Sequence, residues 1–235
     1  MPSLERTNQI DAQMEHASRA LSERRYLECA NLSRDALRKA RTVGDFERMA
    51  RIVMPLLESQ RYLRQEALAR GDAWVIASAS DAPSVPENRC YLFAPMLVGA
   101  DALQFRIAAQ QMGVAPFVLT REPQTSQGLW PIVGVAQRVV RIRIDPPTDP
   151  ERIDPAWFAL AHEKLGDQAI IDAENACEPA DPRAWFVDDL LDRLDACPEH
   201  EKFLMRLADA CKEAMTQPAP TIIRRRPLVN DPFSF

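Results

Sequence analysis

Apolar residues recur every three or four positions through the first seventy residues, which is the spacing of one helical face. Ile10, Met14, Ala17 and Leu21 line a helix predicted over 10–23. After a tight turn at Arg24-Arg25, the residues Cys29, Leu32, Ala36, Leu37 and Ala40 line a second, over 26–42. Met49, Ile52, Val53, Leu56, Leu57 and Leu63 line a third, over 46–70. Gly44 suits the C-terminal stop of the second helix and Asp45 the N-cap of the third. Pro55 falls inside that third helix, where it removes a hydrogen bond and crowds the preceding turn, so a kink is expected there.

Beyond residue 72 the period shortens. Residues 74–77, 90–93 and 115–119 read as short strands, and 100–112 has helical spacing at Leu103, Ile107 and Ala108, closed by Gly113. Strand, helix and strand over 90–119 predict a right-handed crossover between parallel neighbours. Strands over 129–135 and 138–144 follow. In the latter, Val140, Ile142 and Ile144 alternate with Arg141 and Arg143, which predicts one buried and one wet face near a sheet edge. A helix over 155–165, a strand over 169–171 and helices over 183–196 and 199–215 complete the body. Of 19 prolines only Pro2 and Pro55 precede residue 80, so the helical start and the broken remainder divide near Gly71-Asp72. The expected fold is therefore α+β or mixed α/β: N-terminal helical hairpins over 1–72, a small mixed sheet with flanking helices over 73–217, and an extended proline-containing tail over 218–235.

The stretch Tyr26-x-Glu28-Cys29 followed by Ala36-Leu37 resembles the second half of a tetratricopeptide repeat, with Cys29 where that family has a small alanine. Gly44-Asp45-Phe46-Glu47 is similar to the turn that opens another such helix. The resemblance covers about residues 10–70, and the aromatic and Leu-Gly positions of the family's first helix are absent. It implies antiparallel helical hairpins and a protein partner or self-association. Fewer than about three repeats do not bury a core alone, so the hairpins should pack on the rest of the chain or on a second copy.

The net charge is −5, but residues 151–217 hold 16 acidic against 7 basic side chains. That acidic final third would repel a phosphate backbone, which disfavours nucleic acid as a partner. No apolar run approaches the ~20 residues of a membrane helix, and the opening residues do not read as a signal peptide. The five cysteines are widely spaced and never form C-x-x-C, which points to a reducing cytoplasm.

Candidate chemistry is sparse. Seven glycines form neither dinucleotide nor phosphate-loop motifs, so no cofactor is expected, and Asp101 reads as a helix cap. Arg121 and Glu122 follow one predicted strand, Asp172 and Glu174 another. If those strands were parallel neighbours, these four side chains would converge at their carboxyl ends, where α/β sheets place ligands. His-Glu-Lys occurs at 162–164 and again at 200–202, without the H-E-x-x-H spacing that binds zinc, and no metal is expected. Asp188, Asp192 and Asp195 form an acidic stripe expected to be a wet helical face, while Asp189 and Arg193 are spaced to pair. Arg224-Arg225-Arg226, with Ile222, Ile223, Phe233 and Phe235 as anchors, are expected to lie against the acidic third. These features favour an interaction or scaffold module; the alternative is an α/β enzyme or small-ligand domain, for metal or nucleotide, with a helical oligomerisation cap.

Overall fold

The structure is a computed structural model that describes residues 2–218, with side chains from Thr7 onward; the arginine run and anchors of the tail lie outside those residues. Three helices open the chain: α1 (Pro2–Ser22), α2 (Tyr26–Thr42) and α3 (Phe46–Ala69). α1 begins earlier than its apolar spacing predicts, because proline is tolerated in a helix's first turn. Two three-residue connections reverse the chain. In the first, Arg24 takes a left-handed φ of 60° and Arg25 N donates to Ala20 O at 2.8 Å. In the second, Gly44 has φ 71° and Asp45 N donates to Ala40 O at 3.0 Å. Both satisfy carbonyls that the helix end leaves open. Asp45 then caps α3 by accepting from Arg48 N at 3.0 Å, as its position predicts. α3 runs on through Pro55, whose carbonyl accepts from the Cys29 thiol at 3.5 Å.

Five strands follow in sheet order: β1 (Trp74–Ile76), β2 (Cys90–Phe93), β3 (Phe117–Arg121), β4 (Trp130–Gly134) and β5 (Val140–Ile144). β1, β2 and β3 are parallel, and β4 and β5 continue antiparallel. α4 (Gly99–Gln111) makes the crossover from β2 to β3. Asp101 accepts from Val98 N at 2.8 Å, which is the capping role read from sequence. α4 covers one face of the sheet through Phe105, whose ring lies 4.9 Å from Tyr91 and 5.4 Å from Phe93. The alternate residues Cys90, Leu92, Phe117, Leu119, Trp130, Ile132, Val140 and Ile144 face the opposite way.

That second face is covered by α5 (Pro155–Asn175) and, at β3, by α3, and helices α6 (Arg183–Leu191) and α7 (Glu201–Met215) pack behind them. One contiguous core joins Ile10, Leu37 and Leu56 of the hairpins to Leu92 and Phe117 of the sheet and to Phe158 and Phe203 beyond it. The hairpins thus complete their core on the rest of the chain, across the 71–72 boundary.

Two elements differ from the sequence reading. No strand exists at 169–171; α5 is one helix from Pro155 to Asn175. Ala161, Leu165, Ala169 and Ala173 are all buried at a spacing of four, which is a helical stripe. Gly166 does not end this helix. A Cβ there would lie 2.1 Å from His200 Cγ, so the glycine makes room for a packed imidazole. The helix predicted over 183–196 stops at Leu191, and a 3-10 turn at Leu194–Ala196 replaces its last part.

Candidate functional site

With the 169–171 strand gone, the basis for a four-residue convergence goes too. Arg121 ends β3, and its guanidinium stacks 4.3 Å from the Trp130 ring centroid. Glu122 accepts from Arg141 at 2.7 Å. Asp172 and Glu174 lie on the last turns of α5, where Asp172 accepts from Gln168 at 2.7 Å and Glu174 lies 3.6 Å from Arg206. Among the described residues no hydrogen bond or ion pair links the first two to the last two.

The two His-Glu-Lys strings, by contrast, meet. α5 supplies His162 and Glu163, and the turn into α7 supplies Glu199 and His200; the imidazole centroids are 5.8 Å apart. His162 Nε2 lies 3.5 Å from Glu199 and His200 Nε2 lies 3.2 Å from Glu163, which Arg64 of α3 also contacts at 2.7 Å. Phe117 meets the His162 ring edge-on at 4.7 Å. Glu199 is only 8% exposed. Burial pushes its carboxyl up, but His162 and the guanidiniums of Arg106 and Arg34 outweigh burial and hold it below the ordinary glutamate value. The space beside it, bounded by Arg34, Gln60, Arg64, Gln110 and Phe117, is about 10 Å³. That is about one water-sized sphere, so the cluster is a tightly packed junction between hairpins and sheet.

His200 also caps α7, its Nδ1 accepting from Phe203 N at 3.0 Å. A protonated ring has no acceptor to offer, so charging His200 breaks the cap. Burial, and then His162, pushes its pKa down to about 4 from 6.5, against the pull of Glu163 and Asp167. The folded state therefore binds fewer protons than the unfolded state between these values. Stability is full above pH 6.5 and falls by roughly 2–3 kcal/mol as pH drops toward 4. Urea unfolding at pH 7 and pH 4.5 measures this, and His200→Asn, which keeps a capping oxygen, should lose less over the same interval.

The four buried thiols are shielded from solvent, and Cys177 is half-buried. All five cysteines are free and four are buried, with burial pushing Cys90 and Cys211 up to about 12.

A surface groove of about 630 Å³ runs between β5 and α5. Its walls are Arg141, Ile142, Arg143 and Ile144 on the strand, and Lys164, Asp167, Gln168 and Ile171 on the helix. β5 is an edge strand, as its alternation predicts. Which backbone groups it presents follows from pairing. Glu122 N donates to Pro131 O at 2.9 Å, so Pro131 faces β3, and the missing proline donor falls where β3 ends. Trp130, Ile132 and Gly134 then face β5, opposite Ile144, Ile142 and Val140. The N–H and C=O groups of Arg141 and Arg143 point to the open edge, with no partner among the described residues. Ile171 is 47% exposed and Leu160, about three turns earlier on the same stripe, is 51% exposed. Arg143 and Lys164 have no carboxylate partner among the described residues, while Asp167 is held by Lys202 at 3.1 Å.

Comparisons against family models, curated proteins and solved structures give no significant match to this chain. No helix among the described residues is long and apolar enough to cross a membrane.

Proposed function

We propose that this chain is a protein-interaction module that captures an extended segment of its partner along β5. The observation carrying this reading is the open β5 edge, where the amides and carbonyls of Arg141 and Arg143 have no partner among the described residues and border a groove floored by Ile171. A guest strand pairs its backbone with Arg141 and Arg143, and lays alternate side chains into the groove and against the two guanidiniums. Charge selects the guest. A second copy pairing antiparallel about Ile142 would set Arg141 against the other copy's Arg143, and like charges directly opposite are destabilising. The same arginines guard the edge against self-association. A guest with acidic residues alternating with apolar ones fits both faces. The tetratricopeptide-like hairpins serve as scaffold in this reading, because their apolar faces are spent in the shared core. Four buried free thiols favour a reducing compartment, the cytoplasm.

Selection of a random peptide library on the full chain tests this. Wild type should enrich acidic–apolar alternation, and Arg143→Glu should shift the selection toward basic residues. The same peptides selected by both, or no charge preference, would contradict it.

A further inference from the structure

A separate cleft of about 300 Å³ opens between the hairpins and the body, and it shares no lining residue with the β5 groove. One wall is α2, which presents Arg34, Arg38 and Arg41 on successive turns of one face. The other wall carries Asp188, Asp192 and Asp195 at the same spacing. The acidic stripe is therefore not a wet face: Asp192 is 6% exposed, and the stripe stands opposite arginines. Arg41 and Asp188 close one end as a two-point ion pair, with Nη2 to Oδ2 at 2.7 Å. Asp189 and Arg193 turn away from it, Arg193 donating to the Asp189 carbonyl at 2.8 Å. Leu37, Leu191 and Leu194 supply apolar lining and Gln137 a further polar group.

Two features bear on what this cleft holds. Its six ionised groups sum to zero, with cations on one wall and anions on the other. An anion such as a nucleotide meets the aspartates, and a polyamine meets the arginines; only a molecule carrying both charges is matched on both sides. Arg34 feels the carboxylates of Asp195 and Glu199 but makes no direct ion pair among the described residues, and its Nε is buried without a hydrogen bond. A half-buried guanidinium with an unbonded donor is a strong partner for a planar carboxylate. The volume lies at the small end of ligand pockets, which suits a molecule of amino-acid size.

The geometry points to a binding site for a free aliphatic amino acid: its carboxylate on Arg34 and Arg38, its ammonium toward Asp195, and its side chain against Leu37, Leu191 and Leu194. Arg38 is available for this while still touching Asp35 at 2.9 Å, because the guanidinium has donors to spare. The zwitterion bridges hairpin and body without leaving either charge unanswered.

Titration calorimetry of the full chain with L-leucine, N-acetyl-L-leucine and L-leucinamide tests the assignment. Leucine should bind saturably, and each blocked analogue, lacking one charge, should bind about tenfold more weakly or worse. Arg34→Gln and Arg38→Gln should each weaken leucine by about tenfold. Arg38 is exposed, so its variant keeps the fold even if Arg34→Gln does not. No saturable heat with leucine, equal binding of the blocked analogues, or unaltered affinity in Arg38→Gln would overturn the assignment.

Discussion

Gly166→Ala should destabilise the protein by about 3 kcal/mol or more, at the upper end of what overpacking a core costs. The added Cβ would lie 2.1 Å from Cγ, 2.3 Å from Cδ2 and 2.5 Å from Nδ1 of His200. The imidazole cannot retreat. It is fully buried, its Nδ1 holds Phe203 N at the start of α7, and the His162 ring stands 5.8 Å away. Relief would need α5 and α7 to separate, and both pack on the common core. On helix propensity alone the change should stabilise by roughly 1 kcal/mol, so the sign of the measured effect separates the two accounts. Urea unfolding of wild type and variant at pH 7 decides it. A variant as stable as wild type would mean that His200 does not occupy the space beside Gly166.

Glu199→Ala should cost about 3–5 kcal/mol, the usual penalty for breaking a buried ionic cluster by removing one partner. Arg106 is 8% exposed and donates to the Asp195 carbonyl, but among its surroundings Glu199 supplies a nearby negative charge. Arg34 and His162 also lie in the field of that carboxylate, though Arg34 makes no direct ion pair with it. Removing it leaves the Arg106 and Arg34 guanidiniums in a tightly packed junction with one carboxylate fewer to answer them. Glu199→Gln keeps the shape and one acceptor, so it should lose less than the alanine variant. The same unfolding experiment measures both, and a loss below about 1 kcal/mol for Glu199→Ala would place the cluster's weight elsewhere.

What the sequence made legible follows from how local each signal is. The bounds of α2 were readable because Arg24-Arg25 and Gly44-Asp45 are turn chemistry acting within one or two residues. β5 was readable as an edge because Arg141 and Arg143 would be intolerable on a doubly covered strand. The stretch 169–171 was misread because three apolar residues fit a strand or a buried helix equally well. The arbiter was Gly166, whose reason for being glycine lies in His200, far along the chain. Convergence of Arg121, Glu122, Asp172 and Glu174 depends on that strand, which α5 replaces. The imidazole–carboxylate cluster was invisible for a related cause: its members come from α3, α5 and the turn before α7, joined only by tertiary packing. The repeated His-Glu-Lys string was its one trace, since each histidine meets a glutamate adjacent in sequence to the other histidine. The opposed stripes of α2 and of residues 188–195 are likewise far apart in sequence, and only packing sets the arginines against the aspartates.

The most direct test of the interaction reading is a nuclear magnetic resonance titration of the isotope-labelled full chain with a synthetic peptide of alternating glutamate and valine. The account predicts that the amides of Arg141, Arg143 and Ile171 shift together and saturate, and that Arg143→Glu abolishes the response. Shifts confined to other surfaces, or a response that survives Arg143→Glu unchanged, would contradict it.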